Sequence, residues 1–460
     1  MFGLQLRAGR IASIDIFRAL TVLVMITVNE WHRVGDLPAW MRHMPADADA
    51  MSFVDGVFPA FLFIVGMSIP FALQQRLQAG DTPRQLLLHV LQRGLGLVLI
   101  GVFMVNAEEG FHAASMPLPI ALWALLSYLA AFALWGSLRG GPALAGGWRL
   151  AGVALFALLA WLYRGGPDGS GGMRTQWWGI LGLIGWAYLL GCAALLLCRA
   201  RVAGLLLALG LCLAYFALQR QPLVQGSGWL RLLFSQDGHA VHGALVISGS
   251  ITALLFFDQG RARSLGVCRA WVADSGNRPQ RGQFLPDLQP HSPAMGQEAG
   301  EKWTAAVDFP PAIPKSDRLL VQRLGLALLF AAALALLAAL LRPAFKISKI
   351  YATPSWALYS AAACVLIFAA LSLWLAWRQR VGAGAAAAPR RSGLLDAVAA
   401  NPLLAYLTPF VVEALMQLLQ WPWPAFTRSA PWGVVFGMAY AVAVAAFVKF
   451  IAARGVRLRI

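Results

Sequence analysis

The chain has 460 residues, 59% of them apolar and only 12% charged, with a formal net charge of +17. An ordinary soluble domain is about a quarter charged and could not keep this much apolar surface from water, so lipid must be the solvent for much of the chain. The positive balance does not indicate a nucleic-acid partner. Lys and Arg sit mainly in alternate loops, not on one segment with interleaved aromatics, and that is the pattern that orients a membrane protein.

Apolar runs of about 17–25 residues, long enough to cross ~30 Å of hydrocarbon, recur along the whole length. In chain order the predicted spans are 12–29, 55–73, 86–105, 117–136, 150–163, 177–197, 202–218, 243–257, 320–341, 354–376, 399–419 and 432–452. The segments 150–163 and 243–257 are short for a span. The expected fold is therefore all-α, a polytopic transmembrane bundle of about 11–12 helices. With the N-terminus inside, the cytoplasmic loops carry about two-thirds of the 37 Lys and Arg, which puts both termini in the cytoplasm. Trp177, Trp178, Trp421, Trp423 and Trp432 fall at outer ends, as an interfacial aromatic belt requires.

Three regions follow: an N-terminal transmembrane bundle over 1–257, a cytoplasmic insertion over 258–319, and C-terminal transmembrane helices over 320–460. The insertion is rich in Pro, Arg and Gln and is expected to be partly ordered. Residues 378–396 read as a basic, low-complexity connector. No cleavage site follows the first apolar segment, which is expected to stay as a signal anchor. Cys192, Cys198, Cys212, Cys268 and Cys364 show no paired or metal-like spacing, so neither disulfides nor a metal site is expected. There is no Gly- or Pro-broken pair of spans in matching positions, the mark of a transporter with inverted symmetry.

Polar groups inside a membrane are costly, so each is a functional candidate. Asp15 and Arg18 lie three apart in the first span, close enough to form a structural ion pair. Alternatively, Arg18 faces a cavity and meets an anionic ligand, with Arg93 near the inner end of the third span as a second contact. The outer loop 30–54 and its flanks are the richest stretch in chemistry, with Asn29, His32, Trp40, His43, Asp47, Asp49 and Asp55. A histidine there can take a proton from an attacking amine or carry an acyl group, and tryptophan faces with carboxylates suit a sugar. A solvated loop with incidental histidines would look similar. Asn106, Glu108, Glu109, His239, His242 and Asn401 read more readily as caps or satisfied interface residues. Lys346, Ser348 and Lys349 form a polar run before Thr353-Pro-Ser-Trp356.

The strip Ser13-Ile-Asp-Ile-Phe-Arg-Ala-Leu-Thr-Val-Leu-Val-Met-Ile-Thr-Val-Asn29, the His43 loop and Asp55-Gly-Val-Phe-Pro-Ala-Phe-Leu-Phe-Ile-Val-Gly-Met-Ser-Ile69 together resemble the heparan-α-glucosaminide N-acetyltransferase family. The likeness is strongest to its bacterial members, the NagX-type inner-membrane proteins. Trp177–Tyr188, Ser348–Trp356 and Asn401–Tyr406 extend it over most of the chain. The resemblance implies a membrane enzyme that takes acetyl-CoA from the cytosol and acetylates a glucosamine amine on the far side. It implies catalytic roles for His43, matched better than His32, and for Asn29. It leaves Arg18 and Arg93 for the coenzyme A phosphates, and Asp55, Glu108, Trp40 and His239 for the sugar.

The partners so implied are acetyl-CoA as co-substrate without a metal, an amino sugar or its oligosaccharide, and the lipid bilayer of a bacterial inner membrane. A homodimer is the commonest assembly for such a chain. Against the animal enzymes, the lumenal N-terminal domain is expected to be absent and the 258–319 insertion to be additional. The rival readings are a transporter of N-acetylglucosamine or related sugars and an O-acetyltransferase of a periplasmic glycan.

Overall fold

The computed structural model describes residues 12–137, 142–176, 179–257, 317–381 and 393–458. Residues 258–316 of the insertion, Cys268, Trp177, Trp178 and most of the connector lie outside the described residues. The helices in chain order are α1 (Ala12–Trp31), α2 (Val57–Gln78), α3 (Pro83–Glu108), α4 (Ile120–Trp135), α5 (Pro142–Leu162), α6 (Ile180–Leu197) and α7 (Val202–Gln219). There follow the short α8 (Pro222–Gln225) and α9 (Gly228–Leu233), then α10 (Asp237–Phe257), α11 (Asp317–Phe345), α12 (Pro354–Val381), α13 (Leu394–Ala400), α14 (Pro402–Leu418) and α15 (Trp432–Ala453). The chain is an all-α bundle. Among the described residues, β1 (Gly136–Ser137) and β2 (Arg457–Leu458) add one short antiparallel pair.

Among the described residues each predicted apolar segment lies mainly on helix, with 399–419 divided between two. Among the described residues 9 helices are long and apolar enough to cross a membrane, or 10 if the bent pair α13–α14 is one span, while α4 and the apolar part of α5 are shorter. The two segments that read as short are longer helices. Helix α5 begins at Pro142 and α10 at Asp237, because their first turns are Gly- or polar-rich and escape an apolar count. The start of α3 shows the local logic: Thr82 and Gln85 form a reciprocal capping box and Pro83 occupies the first helical position.

Helix α10 is the centre of the bundle, with 89% of its apolar window buried, against 28% for α11 at the periphery. Small residues permit its close approach to α2. A Cβ at Gly66 would overlap the Val246 carbonyl, and one at Gly249 would overlap the Phe63 carbonyl, while Ser250 Oγ donates to the Gly66 carbonyl at 2.9 Å. Helices α5, α7, α11 and α15 present exposed leucines, tryptophans and valines outward, as lipid-facing surfaces do.

One span is broken. Helices α13 and α14 meet at 94°, where Pro402 has no N–H to continue the ladder and Asn401 adopts φ −136°, ψ 58°. The expectation that Asn401 serves as a helix cap is corrected here. Its side chain makes no cap bond, is fully buried and leaves both amide atoms without a partner among the described residues.

Loops gather at two ends. At one end the 32–56 loop meets the 346–353 loop through Asp49 and Ile347, and meets the turn before α15 through Gly35 and Arg428. At the other, Ser137 pairs with Arg457.

Candidate active site

Helix α1 ends at Trp31, and the chain then turns through 3-10 segments Ala39–Met41 and Val54–Gly56 before entering α2. This return brings His43 over Asp55. Asp55 is buried, and its Oδ2 accepts the Ser52 N–H at 3.0 Å, the Ser52 hydroxyl at 3.1 Å and the Met44 N–H at 3.2 Å. Its Oδ1 lies 2.7 Å from His43 Nδ1. A carboxylate so placed accepts, so Nδ1 carries a proton and, in the neutral ring, the lone pair is on Nε2. The Asp55 carbonyl in turn receives the Trp356 indole N–H at 3.1 Å. The His43 side chain is 45% exposed against 2% for Asp55, so a substrate can reach the ring but not the group that orients it.

A second wall comes from far along the chain. Between α11 and α12, Lys346 (φ 49°) and Ala352 (φ 46°) take left-handed conformations, each costing about 1 kcal/mol. The first loop holds them there. Asp49 accepts the Ile347 N–H at 2.8 Å and the Arg342 guanidinium at 3.0 Å, and Ser348 Oγ donates to the Ala46 carbonyl at 2.8 Å. The Ile347 N–H and Arg342 hold the Asp49 carboxyl below the usual carboxylate range, against some burial.

The clamped loop delivers Lys349, whose Nζ lies 3.1 Å from both ring nitrogens of His43. A point equidistant from the two nitrogens lies over the ring and off the in-plane lone pair of Nε2, so the amine caps the imidazole face. Burial pushes Lys349 below the ordinary lysine range, and the Asp55 carboxylate partly opposes this. Lys349 was not among the expected site residues. Its only sequence signal was membership of a polar run entering a span from outside.

The remaining expected residues stand apart. Asn29 is exposed at the end of α1, and its side chain makes no hydrogen bond among the described residues. Trp40 is 57% exposed and edges onto Phe53. Glu108 is exposed at the end of α3, within electrostatic reach of Tyr128 and Tyr406. His239 is half-buried beside Trp186, with its Nδ1 unpartnered among the described residues. None of the four hydrogen-bonds to His43 among the described residues. His242 is buried between Phe58 and Trp356, behind the indole that holds Asp55. Asn106 is a satisfied clamp, bonded to Val102 and to both backbone groups of Arg174.

At the opposite end of α1, Arg18 pairs with Asp15 at 2.8 Å and donates to Ser68 Oγ at 2.6 Å. It also lies 3.5 Å from the Ala399 carbonyl at the end of α13. Arg93 rests over the Tyr188 ring at 5.2 Å. The described residues contain no group of three or more His, Cys, Asp or Glu placed to hold a metal ion.

The site can therefore do acid–base or nucleophilic chemistry. An exposed imidazole nitrogen is oriented by a buried carboxylate and faces an amine.

Comparison with known proteins bears on which chemistry this is. Residues 10–144 match the family described as a domain of unknown function, DUF5009. A stretch of 100 residues is 34% identical to heparan-alpha-glucosaminide N-acetyltransferase of Mus musculus, covering 22% of this chain and 14% of that protein. The Homo sapiens protein of the same name is 34% identical over 98 residues, covering 21% of this chain and 14% of its own length. The match thus spans about a seventh of the length of these curated relatives. The chain is a multi-pass helical membrane protein similar over part of its length to these acetyltransferases, and residues 10–144, which hold the His43–Asp55 pair, match DUF5009.

Proposed function

We propose that this protein transfers an acetyl group from cytoplasmic acetyl-CoA to the amine of glucosamine, or of a glucosamine-terminated saccharide, on the outer side of a bacterial inner membrane. The observation that carries this reading is the His43–Asp55 pair, which presents an imidazole, held at Nδ1 by a buried carboxylate, at an exposed end of the bundle. The partial similarity to the glucosaminide N-acetyltransferases supports the choice of donor and acceptor.

Acetyl-CoA is too polar to cross lipid, and an amine outside needs an activated acyl donor that exists only inside. In this account the coenzyme enters from the end where Arg18 and Arg93 lie, and its thioester reaches His43 between the helices. A phosphate at Arg18 would compete with Asp15 and Ser68, which already hold the guanidinium. If Arg18→Ala leaves coenzyme A affinity unchanged, that contact is wrong.

At the outer end His43 Nε2 removes a proton from the amine as it attacks the thioester carbonyl, or accepts the acetyl group first. Asp55 stabilises the imidazolium in either route. Asn29 polarises the carbonyl or orients the histidine, and Trp40, Glu108 and His239 contact the sugar. Both termini are cytoplasmic in this account, and so is a reporter fused at residue 300.

The test is acetyl transfer by the purified protein from labelled acetyl-CoA to glucosamine. Labelled N-acetylglucosamine made by wild type and lost in His43→Ala supports the reading. No product from a folded wild type, with monomeric or oligomeric acceptors, defeats it.

One observation favours a second reading, transport of an amino sugar. A broken span, as at Asn401, is a device of transporters. It occurs once here among the described residues, without a matching second break.

A further inference from the structure

Lys349 is the group the proposed reaction leaves without a role. It is an amine, the same functional group as the acceptor, and it lies 3.1 Å from the histidine nitrogen expected to handle the acceptor's proton. Its position is built. The loop is pinned to the His43 loop by Asp49, Arg342, Ile347, Ser348 and Ala46, and it crosses two left-handed residues to deliver the side chain. The amine caps the imidazole within 3.1 Å of both ring nitrogens, so an acceptor reaching the ring from that face must displace Lys349. The groups that receive Lys349 are the face of an imidazole and the field of a buried carboxylate. A protonated sugar amine would seek the same two.

We propose that Lys349 occupies the acceptor-amine position of the resting site, and that its Nζ is itself acetylated when acetyl-CoA is supplied without an acceptor. The inference rests on the acetyl-transfer reading and identifies the acceptor subsite as the space over the His43 ring that Lys349 fills.

The step balances without a further reagent. Neutral Nζ attacks the thioester carbonyl, a C–N bond forms and the C–S bond breaks. The proton lost from nitrogen passes to His43 Nε2 and then to the departing coenzyme A thiolate. The products are an Nε-acetyl-lysine and free coenzyme A. The lowered proton affinity of Lys349 increases the fraction of neutral amine available. Fixed proximity gives it a large advantage over lysines in solvent. An amide does not return its acetyl group readily, so the reaction is a dead end that the true acceptor suppresses by displacing Lys349.

The experiment uses the full chain in detergent with labelled acetyl-CoA, with and without glucosamine, followed by peptide mass spectrometry. Lys346, exposed in the same loop, reports nonspecific acetylation. Label on Lys349 is expected to exceed that on Lys346 by about tenfold or more, given the effective concentration of a held amine. It is expected to fall when glucosamine is present and to be lost in His43→Ala and in Lys349→Arg.

If N-acetylglucosamine forms while Lys349 carries no more label than Lys346, the inference is overturned and acetyl transfer stands. Label that persists undiminished in His43→Ala is ordinary chemical acetylation and also overturns it. If a folded wild type yields neither sugar product nor labelled Lys349, both the inference and the reading beneath it fall. Thermal melting of each variant separates loss of label from loss of fold.

Discussion

Asp55→Asn tests whether His43 is held as a base. The wild-type carboxylate accepts four hydrogen bonds, three on Oδ2 from Ser52 and Met44 and one on Oδ1 from His43. An asparagine of the same shape has one acceptor oxygen. If that oxygen serves the three donors of Ser52 and Met44, its NH2 group must face His43 Nδ1, where two donors would meet. The imidazole then has to shift its proton to Nε2, which removes the lone pair that acts on the substrate.

Losing the charge-assisted bond costs about 1.5–3 kcal/mol. The equivalent Asp-to-Asn change in serine protease triads lowers turnover by roughly 10⁴ through the same tautomer error. A fall in kcat of about 10²–10⁴ is therefore expected, with coenzyme A binding retained because Asp55 stands at the opposite end of the bundle from Arg18. The assay is the acetyl-CoA to glucosamine transfer rate, alongside coenzyme A affinity and thermal melting. An Asp55→Asn protein that is folded and turns over within a few-fold of wild type would refute the argument.

Asp49→Asn should loosen the clamp between the two loops, seen as faster amide exchange over residues 42–53. The Asp49 carboxyl is held below its ordinary value of 3.8, so its contribution is complete above that pH and disappears as pH falls through the depressed value. Wild type should show the same loosening only in that acidic window, and loosening that begins near neutrality would contradict the assignment. Gly249→Ala places a Cβ against the Phe63 carbonyl and should destabilise the bundle by about 1–3 kcal/mol. An unchanged melting temperature would show that the α2–α10 contact is looser than described. Asn401→Leu removes a buried amide without partners among the described residues and should raise the melting temperature. A marked fall would mean that the amide is satisfied in the membrane.

Lipid makes part of this molecule easy to read. A helix that crosses hydrocarbon must be apolar over about twenty residues, so among the described residues each predicted segment lies mainly on helix, and α1 and α15 begin where the apolar pattern begins. The misjudged starts of α5 and α10 are turns where Gly, Asp and His carry no hydropathy signal. The break at Asn401 was visible only as a Pro, because hydropathy averages across a bend and contains no angle.

The site divides in the same way. His43 and Asp55 are 12 residues apart in one loop, so composition and motif could suggest them together. Lys349 lies 306 residues from His43, and only the fold joins them. Asn29 was legible as a motif position, but its exposure at the end of α1 could not be read from sequence.

The most direct measurement seals labelled acetyl-CoA inside proteoliposomes carrying the protein in one orientation and supplies glucosamine outside. The account predicts labelled N-acetylglucosamine in the outer medium with wild type and none with His43→Ala. Sugar that crosses the membrane unacetylated, with all label remaining on the coenzyme inside, would contradict acetyl transfer and make the protein a transporter.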